Sequence, residues 1–65
     1  MNVNKLRGIM AERKCTQHQL ALAIGVSDKT FYNKMQRGVF GTDEVEKMIE
    51  HLSIENPAEI FLPEK

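Results

Sequence analysis

The stretch from residue 16 to residue 38 contains two short helical segments separated by a glycine, and it constrains the fold more than any other part of the chain. Thr16, followed three residues later by Gln19, matches the capping-box pattern that starts a helix. Gly25 is suited to end this helix, because glycine adopts the left-handed backbone conformation without a side-chain clash. Ser27 then supplies an N-cap for the next helix. The rest of the chain must therefore supply a core that covers two closely connected helices.

Apolar spacing predicts how these two helices are covered. Apolar residues three and four positions apart predict a first helix over residues 4–14, with Asn2 or Asn4 as its cap. The second helix is expected to run to about Ile24, and the small side chain of Ala21 permits close approach of a crossing helix. The core positions expected in this part of the chain are Leu6, Ile9, Met10, Leu20, Ala21, Ile24, Val26, Phe31 and Met35.

Two more helices are predicted in the second half of the chain. Thr42 is the candidate N-cap of a fourth helix. Its apolar residues at helical spacing are Val45, Met48, Ile49 and Leu52. Asn56 followed by Pro57 predicts the start of a short fifth helix reaching about Phe61, because proline is favoured in the first helical position. Pro63 is expected to end it.

Length and composition favour one small globular domain. The chain has 65 residues, with 42% hydrophobic and 28% charged residues, which is ordinary for a globular protein. No segment shows the alternation typical of strands, so the predicted fold class is all-α, with five short helices in a single domain over residues 1–65. No apolar run is long enough for a signal-peptide core or a membrane span, which favours the cytoplasm and no membrane partner.

The reactive side chains are too few to predict an enzyme or a metal protein. Cys15 is the single cysteine, so no disulfide within the chain is expected. His18 and His51 are the only histidines, and structural zinc requires four ligands. We find no paired carboxylates, no nucleophile beside a base and no glycine loop of the kind that holds phosphates. The sequence therefore predicts no catalytic residue, no metal ligand and no cofactor.

Charge is divided unevenly along the chain although the net charge is zero. Residues 1–38 carry seven basic and two acidic side chains, a net charge of +5, and residues 39–65 carry two basic and seven acidic ones, a net charge of −5. Since a basic surface supplies most of the affinity of proteins for phosphate, the first half is the candidate partner of a nucleic acid.

The order of these elements resembles the helix-turn-helix proteins of the phage repressor and Cro type, the Xre family. A helix, the pattern Thr-Gln-x-x-Leu-Ala-x-x-x-Gly-Val-Ser, a second helix ending in glycine and then an amphipathic helix are shared with that family. The residues that carry the resemblance are Thr16, Gln17, Leu20, Ala21, Gly25, Val26, Ser27 and Phe31. The resemblance implies a lambda-repressor-like helix-turn-helix domain, with the helix-turn-helix at about residues 16–38.

The same resemblance implies a regulator of transcription, of phage or prophage origin, that acts at the nucleoid of a bacterial host cell. Its third helix, residues 27–37, would enter the major groove of a double-stranded DNA operator, and the helix before it would rest on the phosphate backbone. Gln17, Lys34 and Arg37 would then contact phosphates. The full set of expected DNA-binding residues is Gln17, Ser27, Asp28, Lys29, Tyr32, Asn33, Lys34 and Arg37.

Simpler readings of the same residues stay open. The polar side of the third helix is also typical of the solvent-exposed face of any amphipathic helix. Asp28 also suits the first turn of a helix, because a negative charge there interacts favourably with the helix dipole. The acidic second half suggests an alternative function, a protein-binding modulator such as an antirepressor that pairs with another phage regulator. A DNA-binding domain of this size is expected to act as a homodimer, with a contact in residues 52–62 through an exposed Ile54 or Leu62.

Overall fold

The computed structural model describes residues 1–62, and this part of the chain is all-helical. The five helices are α1 (Val3–Glu12), α2 (Gln17–Ile24), α3 (Asp28–Arg37), α4 (Thr42–Leu52) and α5 (Pro57–Phe61). No strand occurs in residues 1–62, so the predicted all-α class is confirmed. None of the helices in this range is long and apolar enough to cross a membrane. The predicted end of α5 at Pro63 lies outside the described residues.

Side-chain caps start the first three helices. Asn2, rather than Asn4, caps α1, because its Oδ1 accepts a hydrogen bond from the Lys5 amide at 3.0 Å. The predicted capping box of α2 is confirmed in both directions: the Gln19 amide donates to Thr16 Oγ1 at 3.1 Å, and the Thr16 amide donates to Gln19 Oε1 at 2.9 Å. Ser27 caps α3 by the same kind of contact. These caps bind amide groups that have no partner inside the helix.

The predicted start of α4 is wrong by one residue. Gly41 is the N-cap, with extended backbone angles, and Thr42 is already the first helical residue. The reason is the side chain of Glu44, whose Oε1 accepts a hydrogen bond from the Gly41 amide at 2.7 Å. Asn56 precedes α5 as predicted, but its side chain makes no capping hydrogen bond.

The ends of α1 to α4 share one kind of turn. The backbone adopts positive φ angles at Lys14, Gly25, Gly38 and Ser53. The amide of the next residue then donates back to a carbonyl five positions earlier, as from Val26 to Ala21 at 3.0 Å and from Ile54 to Ile49 at 3.0 Å. This hydrogen bond satisfies a carbonyl at the helix end. The apolar side chain that follows the turn is buried at Ile54 and partly buried at Val26, whereas Val39 is 65% exposed.

The core lies between α2 and its neighbours. α2 packs against α3 and α4, and α1 packs against α5. The buried apolar residues are Leu6, Met10, Leu20, Ala21, Ile24, Phe31, Met35, Met48, Leu52, Ile54 and Ile60. The rings of Phe31 and Phe40 meet with their centroids 5.6 Å apart, which attaches the loop between α3 and α4 to this core.

Ile54 contradicts the expectation of an exposed dimer contact. Its side chain is only 8% exposed, because the turn at Ser53 returns the chain towards α4 and packs Ile54 into the core. Leu62, the other expected contact residue, is 59% exposed. Of the two predicted contact residues, only Leu62 is therefore available on the surface.

We expect replacement of Gly25 by alanine to destabilise the fold by about 1–2 kcal/mol, because an L-residue is strained at a left-handed φ. An added Cβ at Gly25, whose φ is +79°, meets no atom within 4 Å, so backbone strain alone is tested. Gly8→Ala is the matched control, since Gly8 lies in α1 with free space around it. It should stabilise by about 0.5–1 kcal/mol. Urea unfolding measures both; equal effects would contradict the assignment of the turn.

Candidate nucleic-acid interface

The outer face of α3 is a continuous polar surface. Phe31 and Met35 bury the inner face, with 0% and 2% exposure, and they hold the helix against the core. The residues on α3 that are exposed are Asp28, Lys29, Thr30, Tyr32, Asn33, Gln36 and Arg37. Lys29, Asn33 and Arg37 are predicted site residues spaced four apart, so they follow one line along the helix. Thr30 and Gln36 share the exposed surface, although the set of predicted site residues does not include them.

The turn between α2 and α3 brings the start of each helix into the same surface. Gln17, the first residue of α2, is exposed, and so is Ser27 at the start of α3. The Ser27 hydroxyl is used locally, because it accepts a hydrogen bond from the Thr30 amide at 3.1 Å and donates one to Thr30 Oγ1 at 2.9 Å. Gln17 and Ser27 thus lie at helix N-termini, where the helix dipole favours anions.

Asp28 is paired with His18, a contact that the sequence did not predict. Nδ1 of His18 lies 2.8 Å from Oδ1 and 2.9 Å from Oδ2 of Asp28, and the pair joins the first turns of α2 and α3. The two side chains are 63% and 66% exposed, so the pair adds little to stability. Its consequence is local: the carboxylate of Asp28 already has a partner on the candidate interface.

Lys34 differs from the other basic residues of α3, because its ammonium group is bound within the protein. Nζ of Lys34 donates to Oε1 of Glu44 at 2.9 Å, and these side chains are 32% and 18% exposed. Within residues 1–62, neither Lys29 nor Arg37 makes an ion pair. Two cations of α3 are thus available to an outside partner, and the third is engaged.

Other cations of the basic half also have structural partners. Lys5 on α1 pairs with Glu59 on α5 at 3.2 Å. Nε and Nη2 of Arg13 donate to the carbonyl oxygens of Leu52 and Ser53 at 3.1 and 3.4 Å, so this guanidinium caps the end of α4. These contacts join the basic half of the chain to its acidic half, and they engage two of its cations within the protein.

Within residues 1–62, the structure does not bring together a set of metal-binding side chains. No group of three possible metal ligands occurs among residues 1–62. Cys15 is half-buried, and burial raises the pKa of its thiol, which disfavours the reactive thiolate. His51 is exposed near the C-terminal end of α4, where the helix dipole favours a positive charge.

Comparison with known proteins gives no further assignment: no protein-family model, no curated protein and no solved structure matches this chain. The functional interpretation therefore depends on two things. One is the surface formed by α3 and the start of α2, and the other is the resemblance in the sequence of residues 16–38. The roles of the eight expected DNA-binding residues stay predictions.

We expect the contribution of Glu44 to stability to disappear in acid. Its pKa lies below the usual 4.5, because the Gly41 amide and then the Lys34 ammonium bind the carboxylate. A carboxyl group with a lowered folded-state pKa stabilises the fold above the unfolded-state pKa, and this contribution is lost as the pH falls through the folded-state value. Glu44→Gln should therefore cost on the order of 1 kcal/mol at pH 7 and much less at pH 3.

Urea unfolding at the two pH values measures this difference. Glu46→Gln is the control, since Glu46 lies on the same helix and is exposed. A cost of Glu44→Gln that is unchanged at pH 3, or equal to that of the control at pH 7, would contradict the role given to this carboxylate.

Proposed function

We propose that this protein is a sequence-specific DNA-binding regulator of transcription of the repressor or Cro type, which inserts α3 into the major groove. The observation that supports this proposal best is the outer face of α3. It is polar over its whole length, it carries two cations without an ion-pair partner in residues 1–62, and it stands on a helix that Phe31 and Met35 anchor in the core. The charge excess of the first half of the chain points the same way.

The side chains of this face suit the chemistry of base edges. An α-helix fits the major groove, where each base pair presents its own pattern of donors and acceptors. The amide of Asn33 can donate to and accept from one adenine edge, and Lys29 can donate to guanine. Tyr32, which is 55% exposed, can contact a thymine methyl group. Gln36 adds a second amide to the face that reads the bases.

Phosphate contacts would orient the domain without reading sequence. Arg37 lies in the last turn of α3 and has no ion-pair partner within residues 1–62, so its guanidinium is free to bind a phosphate. Gln17 stands at the N-terminus of α2, where amide groups and the helix dipole favour an anion. In this arrangement Asp28 lies close to the DNA, with its carboxylate in hydrogen-bond contact with Nδ1 of His18.

A homodimer on two half-sites is part of the proposal. One domain of this size buries too little DNA for tight specific binding, and half-sites about one helical turn apart suit two copies. The apolar side chains of Leu22, Val39 and Leu62 are 67%, 65% and 59% exposed, and a second copy could cover such side chains. A repressor of this kind occupies its operator and excludes the polymerase.

A protein-binding modulator, such as an antirepressor, is the second candidate function. The observation that favours it is the acidic excess on α4, where Asp43, Glu46 and Glu50 are exposed on one face that also carries the single cation Lys47. Such a face would suit the basic DNA-binding surface of another regulator. For this candidate we expect a pull-down with mass spectrometry to recover a stoichiometric regulator, and the protein to be retained on no DNA at low salt.

Selection from a pool of random duplexes, at two salt concentrations, tests DNA binding directly. We expect a defined sequence to be enriched, and the affinity for it to fall steeply as salt rises, because bound phosphates release counterions. Enrichment of no sequence, or a shallow dependence on salt, would contradict the proposal.

Two substitutions test the roles within α3. Asn33→Ala should relax specificity at one base pair by about 1–3 kcal/mol. Arg37→Ala should weaken binding to all sequences alike, and it should lower by about 1 the salt slope, which is the steepness with which log affinity falls with log salt concentration. Competition binding against single-base variants of the selected duplex measures both effects. The opposite pattern would mean that Asn33 faces the backbone and Arg37 the bases.

A further inference from the structure

The contact between Lys34 and Glu44 is the least exposed ion pair among residues 1–62. Its side chains are 32% and 18% exposed, against 49% and 57% for Lys5 and Glu59. One carboxylate oxygen, Oε1 of Glu44, accepts hydrogen bonds from both Lys34 Nζ at 2.9 Å and the Gly41 amide at 2.7 Å. A single atom therefore joins α3, the loop before α4 and the first turn of α4.

The backbone of Lys34 is held at the same junction. Its carbonyl oxygen accepts a hydrogen bond from the Val39 amide at 3.1 Å, in the turn that ends α3. Its side chain lies next to the buried stripe of Phe31 and Met35 on the helix, whereas Lys29 and Arg37 lie on the exposed face. The side chain of Lys34 thus connects α3 to α4, while its carbonyl belongs to the turn that ends α3.

From this geometry we propose that Lys34 is a positioning residue, which sets the direction of α3 relative to α4 through Glu44, and that it does not contact DNA phosphate. This inference rests on the proposed DNA-binding function. A lysine that bound phosphate would have to leave Glu44, and this partly buried carboxylate would lose its cation. The ion pair instead keeps the charge of Lys34 neutralised within the protein, so Lys34 releases no counterion when DNA binds.

The salt dependence of DNA affinity distinguishes a positioning role of Lys34 from a phosphate contact. With the selected duplex, Lys34→Met should weaken binding about threefold to tenfold at each salt concentration and leave the salt slope unchanged. Arg37→Met is the matched control, because loss of a phosphate contact should lower the slope by about 0.9. Glu44→Gln keeps an oxygen for the Gly41 amide but frees Lys34, so the slope should stay the same or rise.

In contrast to Lys34→Met, Lys34→Arg should keep an affinity near that of the wild type, since a guanidinium group can also donate to Glu44. A slope that falls by about 0.9 in Lys34→Met would overturn the inference and make Lys34 a phosphate contact. Unchanged affinity in Lys34→Met would also overturn it. Circular dichroism and urea unfolding establish that each variant is folded at the temperature of the binding measurement.

An NMR titration of the Glu44 carboxyl group tests the ion pair without DNA. The pKa of Glu44 should rise towards its usual value in Lys34→Met, because the ammonium group is one cause of its lowering. An unchanged pKa would show that the pair does not form in solution and would overturn the inference while leaving the proposed function intact. Failure of the wild-type protein to bind any duplex would instead overturn the proposed function, and the inference with it.

Discussion

The fold depends on packing between helices that are too short to be stable alone. The helices contain 10, 8, 10, 11 and 5 residues, and isolated helices below about 12–15 residues are marginal in water. α2 is the shortest of the first four, yet it packs against both α3 and α4. Leu20, Ala21 and Ile24 are buried on it, and the absence of a large side chain at Ala21 lets neighbouring helices approach closely.

The structure also decides how the charges of the basic half are used. Ion pairs and helix capping engage Lys5, Arg13 and Lys34, and each of these contacts reaches a residue in the acidic half. The contacts stabilise the arrangement of the helices. They leave Lys29 and Arg37 as the cations of α3 without an ion-pair partner in residues 1–62.

Much of the fold was predictable because its signals are local. Thr16 with Gln19 is a reciprocal contact within one helical turn, and Gly25 occupies a backbone conformation that few other residues adopt easily. The left-handed turn at Ser53 was not predictable in the same way, because serine carries no such preference. This turn places Ile54 in the core, so Ile54 is not the exposed dimer contact that the sequence suggests. The sequence favours Thr42 as the N-cap of α4, because threonine is by itself the better capping residue. Gly41 takes that position because its amide donates to the carboxylate of Glu44.

The candidate site likewise has features that follow from local sequence and features that follow from the packing of the helices. The sequence by itself determined that α3 has an apolar face with Phe31 and Met35 and a polar face with Lys29, Asn33 and Arg37, because helical periodicity assigns each residue to a side. Only the tertiary structure decided that His18 pairs with Asp28 and that Lys34 pairs with Glu44. Each of these pairs joins residues ten positions apart on different helices. Such a distance depends on the angle between two helices, which the packing of the whole core sets and no local pattern records.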